Sequence, residues 1–357
     1  MITGNKGEWS EIYALFKILG DKKLVAGNAD LEKIEELFYP IIKIIRNESS
    51  GKYEYVINGD LVIVSGGHEQ LRIPIKSFTE QAAKLISKIK ESSGSFSMPE
   101  TEEFMNSVNC WALKANSTTK SDITIVIHDQ QIHQSIELGF SIKSKLGGES
   151  SLLNAGKTTN FIYQITNTTI SGNDIKKINS IETKNKIKDR LSSIKLHGGE
   201  IQFSSLEQDI FKNNLILIDS FLPNILGEVI KEFFSSKLSS VYELSKVISD
   251  KNPLNYDTTY SHSFYEYKIK RFLTDCALGM MPSKVWTGTY DATGGYLIVK
   301  EDGDVLCYHI YNRNQFEDYL FYNTKLETAS SKRHDFGTIY IADKKQYFKL
   351  NLQIRFC

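Results

Sequence analysis

Apolar residues recur at helical spacing near the start of the chain and at strand spacing in its middle. Residues 8–19 place Ile12, Leu15, Phe16 and Leu19 on one helical face, with Gly20 as a stop. The same spacing predicts a helix over 31–45, broken near Pro40, and another over 78–89. Residues 53–57 and 61–64 alternate around Asn58-Gly59, a hairpin signal. Residues 122–127 and 136–143 alternate with period two and predict adjacent strands. Ser150 and Ser151 read as caps opening a helix, and 160–165 returns to a strand. This order fits an α/β (α+β) fold, a mixed sheet flanked by helices.

Beyond a polar border at 167–174, helical spacing dominates 181–249, including 215–234 (interrupted by Pro223) and 238–248, and continues over 260–278. After Pro282 strands are predicted at 296–299, 305–310, 338–342 and 347–354. Three regions result: a core over 1–170, a helical region over 171–280, and a β-rich part over 281–357 that completes the core.

Two residues turn this pattern toward chemistry. Asp122 opens one predicted strand, and Lys143 closes the next in Gly139-Phe140-Ser141-Ile142-Lys143-Ser144. An acid and a lysine on neighbouring strands can set a carboxylate, a divalent cation and an ammonium around one phosphodiester, as metal-dependent DNA cleavage requires. The plainer readings are a strand-opening turn residue for Asp122 and a solvated edge charge for Lys143.

Composition narrows the class. The 357 residues, 41% hydrophobic and 24% charged, suffice for one large core or two moderate ones. No apolar run approaches the ~18 residues that span a bilayer, and residues 1–6 lack the apolar region of a secretory signal. Cys110, Cys276, Cys307 and Cys357 are too scattered for a zinc site or a disulfide framework, so a reducing cytoplasm is expected. A net charge of zero argues against a general nucleic-acid coat, but not against a basic cleft balanced by acids elsewhere.

Four stretches carry a resemblance. They are Gly4-Asn5-Lys6-Gly7-Glu8-Trp9-Ser10-Glu11; the segment 139–144; Ser151-Leu152-Leu153-Asn154-Ala155 with Thr159-Asn160-Phe161; and Ser330-Ser331-Lys332-Arg333-His334-Asp335-Phe336-Gly337. In this order over one chain they resemble the HpaII-type restriction endonucleases, closely enough to suggest the type member of that family. The resemblance implies a PD-(D/E)XK-type core and type II cleavage of double-stranded DNA at CCGG with magnesium, leaving short 5′ overhangs. It also implies a cognate cytosine methyltransferase as functional partner.

That fold keeps an acid on one strand and an acid-x-Lys triplet on the next. Asp122 takes the first role, as a magnesium ligand. Lys143 would position or deprotonate the attacking water, or neutralise charge on the phosphate. Ser141 stands where an acid is usual and is a weak neutral ligand, so another carboxylate is expected. Glu11, one turn beyond Glu8 on the first helix, is the first choice, and Glu137, on the strand face of Ser141, the second. Glu8 and Glu11 could instead serve the helix dipole, and Trp9 reads as core.

A G·C-rich target needs donors for guanine O6 and N7. Lys332, Arg333 and His334, and Asn312, Arg313 and Asn314, are the candidate clusters, both expected in loops. Asp335 or Glu317 could accept from cytosine. Asn154, Lys157 and Thr158 are candidates for phosphates, as is a helix N-terminus near Ser150. Target symmetry implies a homodimer on the palindrome, with a monomer nicking one strand at a time as the alternative. The rival functions are a sequence-specific DNA-binding protein without catalysis, and a hydrolase using Cys110 or Ser141, for which no G-x-S-x-G elbow is present.

Overall fold

The apolar face of the first predicted helix is buried as a block. The computed structural model describes residues 1–67, 69–114, 121–129 and 133–357, with Glu69 and Asp129 as backbone alone. After strand β1 (Thr3–Asn5), helix α1 (Lys6–Asp21) starts at a capping box in which Asn5 and Glu8 satisfy each other's backbone N–H groups. It ends where Lys22 turns left-handed, with φ of 59°. Trp9, Ile12, Tyr13, Phe16 and Leu19 are all buried, and the indole of Trp9 donates to the Phe96 carbonyl at 3.1 Å.

Strands β2 (Lys23–Gly27), β3 (Lys33–Glu48), β4 (Gly51–Asn58), β5 (Leu61–Gly66) and β6 (Glu69–Pro74) precede α2 (Ile75–Glu91). Then come β7 (Ser95–Ser97), α3 (Pro99–Ser107), β8 (Ile123–Asp129) and β9 (Gln134–Ser144). Phe16, Phe78 and Phe104 meet edge to face at 5.2–5.8 Å, locking α1, α2 and α3 together.

The helix expected over 31–45 is instead strand β3. Its apolar spacing suits either structure, but Ile34, Ile41, Ile42, Ile44 and Ile45 are β-branched, and three partner strands are available. Pro40, without an N–H, sits where β3 leaves β2 for β8, so no ladder bond is lost. The β4–β5 turn is Gly59-Asp60, one residue later than expected, with Gly59 at φ +60°.

The chain continues through β10 (Ser151–Leu153), a 3₁₀ turn (Lys157–Thr159), β11 (Asn160–Thr166), α4 (Gly172–Asn179), α5 (Lys186–Leu196) and β12 (Glu200–Leu206). Helices α6 (Asp209–Ile218), α7 (Leu222–Ser235), α8 (Val241–Lys251) and α9 (Phe264–Leu278) follow. Pro223 lies in the first turn of α7, which explains the interruption seen in the pattern. Last come β13 (Gly295–Val299), β14 (Val305–His309), α10 (Arg313–Tyr322), β15 (Thr324–Leu326), α11 (Ser331–His334), β16 (Ile339–Ala342), β17 (Lys345–Asn351) and β18 (Ile354–Phe356). The helix expected at Ser150 is absent: Ser151 and Leu153 pair with Arg355 and Ile354 of β18, a partner that local caps do not reveal.

The molecule is mixed α/β, and two compact units divide it. The first, Met1–Ser150 with Tyr290–Tyr319, holds a nine-stranded sheet in the order β2-β14-β13-β9-β8-β3-β4-β5-β6. There β13 runs parallel to β9, and β14 parallel to β2, among antiparallel neighbours. The second, Ser151–Thr289 with Leu320–Cys357, holds the four-stranded sheet β12-β11-β17-β16, the three-stranded sheet β10-β18-β15, and α4–α9. This partition differs from the three regions expected. Residues 151–170 leave the first unit because β10 and β11 pair with the C-terminal strands, whereas β13 and β14 return to it.

Candidate active site

Asp122 and Ser141 face each other across a ladder. Strands β8 and β9 are antiparallel with Ile123 opposite Phe140, and the Asp122 N–H donates to the Phe140 carbonyl at 2.8 Å. Opposed residues share a sheet face, and Lys143, two positions beyond Ser141, shares it as well. Gly139 permits the approach, since a Cβ there would lie 2.8 Å from the Ser121 Cβ.

The serine has a different task from the one expected of it. The Ser141 hydroxyl donates to Asp122 Oδ2 at 3.0 Å, and the Ile142 N–H donates to the same oxygen at 2.7 Å. One carboxylate oxygen is thereby fixed, while Oδ1 accepts no hydrogen bond among the described residues. Ser141 is buried, and its hydroxyl hydrogen is committed to Asp122.

Helix α1 brings two acids, Glu8 and Glu11, to the same cleft. Glu8 is committed: its Oε2 accepts from the Asn5 N–H at 2.9 Å, and its Oε1 lies 3.6 Å from the Lys114 ammonium. Glu11, one turn on, makes no hydrogen bond or ion pair among the described residues. Burial first, and then the charge of Asp122, push its carboxyl up to about 7, against the pull of Lys114, Arg46 and Lys143. Burial lowers the Lys143 ammonium from its ordinary range, while Asp122 and Glu11 hold it up and Lys114 opposes them. Its Nζ lies 5.4 Å from the ring centroid of Tyr296. A hydrogen bond of 2.8 Å between the Ser10 and Ser144 hydroxyls ties α1 to the end of β9, setting Glu11 against Lys143.

Glu11, Lys143, Ser144, Lys114, Gly147 and Ser150 line an open cleft of about 790 Å³. No cluster of three or more His, Cys, Asp or Glu residues among those described is arranged to hold a metal. The donor set offered is Glu11, which lines the cleft and is unpartnered among the described residues, and Asp122, whose charge acts on it. That set fits magnesium, which takes one or two carboxylates and completes its shell with water and phosphate oxygens. Lys114, Ser10 and Ser144 were not among the candidates; Ser144 ends the strand motif, whereas nothing in the local sequence marks Lys114.

Other candidates fall outside the cleft. Glu137 is exposed opposite Val126, four residues and roughly 13 Å along the strand from Ser141, and does not line the cleft. Arg313 begins helix α10 and is not in a loop; it pairs with the buried Glu317 at 2.6 Å, which occupies that acid. Asn312 donates to the Tyr39 hydroxyl at 2.5 Å, and Asn314 is exposed on α10. Asn154, Lys157 and Thr158 belong to the second unit, the last two on its 3₁₀ turn. Lys332, Arg333 and His334 form the short α11 of that unit, with the two cations exposed. The His334 carbonyl accepts from Asn160 at 2.8 Å, and Asp335 lies 3.7 Å from the Lys349 ammonium. Cys110 is buried, and burial pushes its thiol up to about 12, the reverse of what a nucleophile needs.

A family model described as HpaII restriction endonuclease matches residues 5–356. The type II restriction enzyme HpaII of Haemophilus parainfluenzae is 47% identical over 358 residues, covering 99% of this chain and 98% of that protein. At that identity the two are homologues with distinct sequences. No solved structure matches.

Proposed function

The chain belongs to the HpaII restriction endonuclease family, and on that premise we propose that it is a type II restriction endonuclease in which Glu11, Asp122 and Lys143 hydrolyse double-stranded DNA with magnesium. One observation carries the reading: Glu11 and Lys143 line one open cleft, the charge of Asp122 acts on both, and neither Glu11 nor Lys143 has a hydrogen-bonded partner among the described residues. Such a set is costly for an empty fold and useful for a cation and a phosphate.

Glu11 and the free Oδ1 of Asp122 would hold the cation, with Ser141 and the Ile142 N–H keeping Asp122 turned toward it. The bound cation supplies Lewis-acid polarisation of the phosphate and a lowered pKa for an attacking water. Burial lowers the Lys143 ammonium from its ordinary range while Asp122 and Glu11 support its charge, and in this role its N–H groups would face the charge that builds on the phosphate. The acid missing from the Ser141-Ile142-Lys143 triplet is thus supplied by helix α1, a variation on the PD-(D/E)XK pattern.

We further propose CCGG as the target, short 5′ overhangs and a cytosine methyltransferase partner, as the sequence resemblance implies, with a cytoplasmic setting from the cysteine pattern and a homodimer from the symmetry of the target. Arg333, an exposed guanidinium, is the best candidate to read guanine. A plasmid with mapped CCGG sites tests the whole. Discrete fragments with magnesium, and none in chelator, are expected. Tight binding without cutting under any divalent cation would favour a DNA-binding protein that lacks catalysis.

A further inference from the structure

A second cleft, within the second unit, is left unused by this chemistry. It measures about 480 Å³ and is lined by Lys184, Lys186, Lys188 and Lys332 with Ser330 and Ser331, and no aspartate or glutamate is among its lining residues. Neither nearby acid, Glu182 or Asp189, lines it, though Glu182 pairs with its Lys186 and interacts electrostatically with its Lys332. Glu182 pairs with Lys186 at 2.9 Å and with Arg190 at 3.1 Å, and Asp189 accepts from the Thr183 hydroxyl. Lys184, Lys188 and Lys332 therefore have no ion pair among the described residues.

Lys188 is the most telling of them. It is half-buried, donates to the Ser236 carbonyl at 2.5 Å, and lies 5.3 Å from the ring centroid of Phe233. A partly desolvated ammonium without a counter-charge gains most when an anion arrives. The Ser330 and Ser331 hydroxyls make no hydrogen bond among the described residues, so they too are available to phosphate oxygens.

We propose that this groove grips the phosphodiester backbone of the DNA duplex, independently of sequence. The inference rests on the nuclease reading above, and it moves Lys332 from base recognition to the backbone. Lysines are compact point charges without the planar fork that reads guanine bidentately, so a lysine groove suits phosphates.

The test uses the full-length protein with calcium in place of magnesium, and duplexes with and without CCGG, between 50 and 200 mM salt. In Lys184→Ala/Lys332→Ala the slope of log affinity against log salt should fall by about 2, equally on both duplexes. Lys184→Arg/Lys332→Arg should restore the slope, and an unchanged melting temperature should show that the fold is intact. A wild-type slope in the alanine variant, or a loss confined to the CCGG duplex, would overturn the groove while leaving the nuclease standing. A wild-type protein that binds no DNA would overturn both.

Discussion

In the first unit Glu11 and Lys143 line one cleft and the charge of Asp122 acts on both; in the second, four lysines line a groove with no carboxylate in its lining. The first arrangement mixes signs and fixes geometry: Ser141 and the Ile142 N–H set Asp122, and the Ser10–Ser144 bond sets α1. The second has one sign, with Lys184 and Lys332 exposed and Lys186 and Lys188 half-buried. Mixed charge at close quarters suits a reacting centre, where position decides rate. Like charge on long side chains suits a polyanion, where number decides affinity.

The sharpest way to break the contrast is to remove a group from the first cleft. Lys143→Ala should slow cutting by about 10²–10³-fold, and Asp122→Ala should abolish it, with target binding in calcium retained by both. Buried charge is poorly screened, so the Lys143→Ala loss should persist across salt concentrations that weaken the lysine groove. Loss of binding together with cutting would mean that Asp122 supports the fold.

Ser141→Ala comes next. Removing a group that orients a metal-binding acid typically costs about 10–100-fold in metal affinity or activity. A variant that cuts at the wild-type rate would strip Ser141 of its positioning role.

The smallest effect is on stability. Glu11 has a raised carboxyl in the folded state, so its contribution is fully present below its ordinary pKa and is lost as pH rises through about 7. Without metal, Glu11→Gln should therefore stabilise the fold at pH 8, on the order of 1–3 kcal/mol, and leave it nearly unchanged at pH 4. Thermal melts in chelator at the two pH values read this directly. A destabilised variant at pH 8 would mean that Glu11 is satisfied by a contact other than a cation.

What the chain discloses by itself follows from the range of each interaction. Helix α1 and the β8–β9 pair were legible because their periods and caps are local, and the pleat alone put Ser141 and Lys143 on one face. Strand β3 was not, since Ile41 and Ile44 fit a helical stripe until β8 and β4 are there to pair with them. Strand β10 was hidden for a similar reason: its partner, β18, lies some 200 residues on. Strand β12, in a stretch that reads as helical, is held by β11 alone among the strands. Within the site, the sequence ranks Glu11 first and Glu137 second as the further acid, whereas the burial of Glu11 and its exposure to the charge of Asp122 are visible only in the fold. The hydrogen bond that makes Ser141 a support for Asp122 has no signature in composition or spacing.

The central claim, that Glu11 and Asp122 share a cation, is tested most directly by titrating manganese into the protein without DNA, at pH 6 and pH 8. The wild type should bind about tenfold more tightly at pH 8, because a carboxyl near 7 must shed its proton to bind. Glu11→Gln should weaken binding at least tenfold and erase the pH dependence. Wild-type affinity with an unchanged pH profile in that variant would contradict the account and place the second ligand elsewhere.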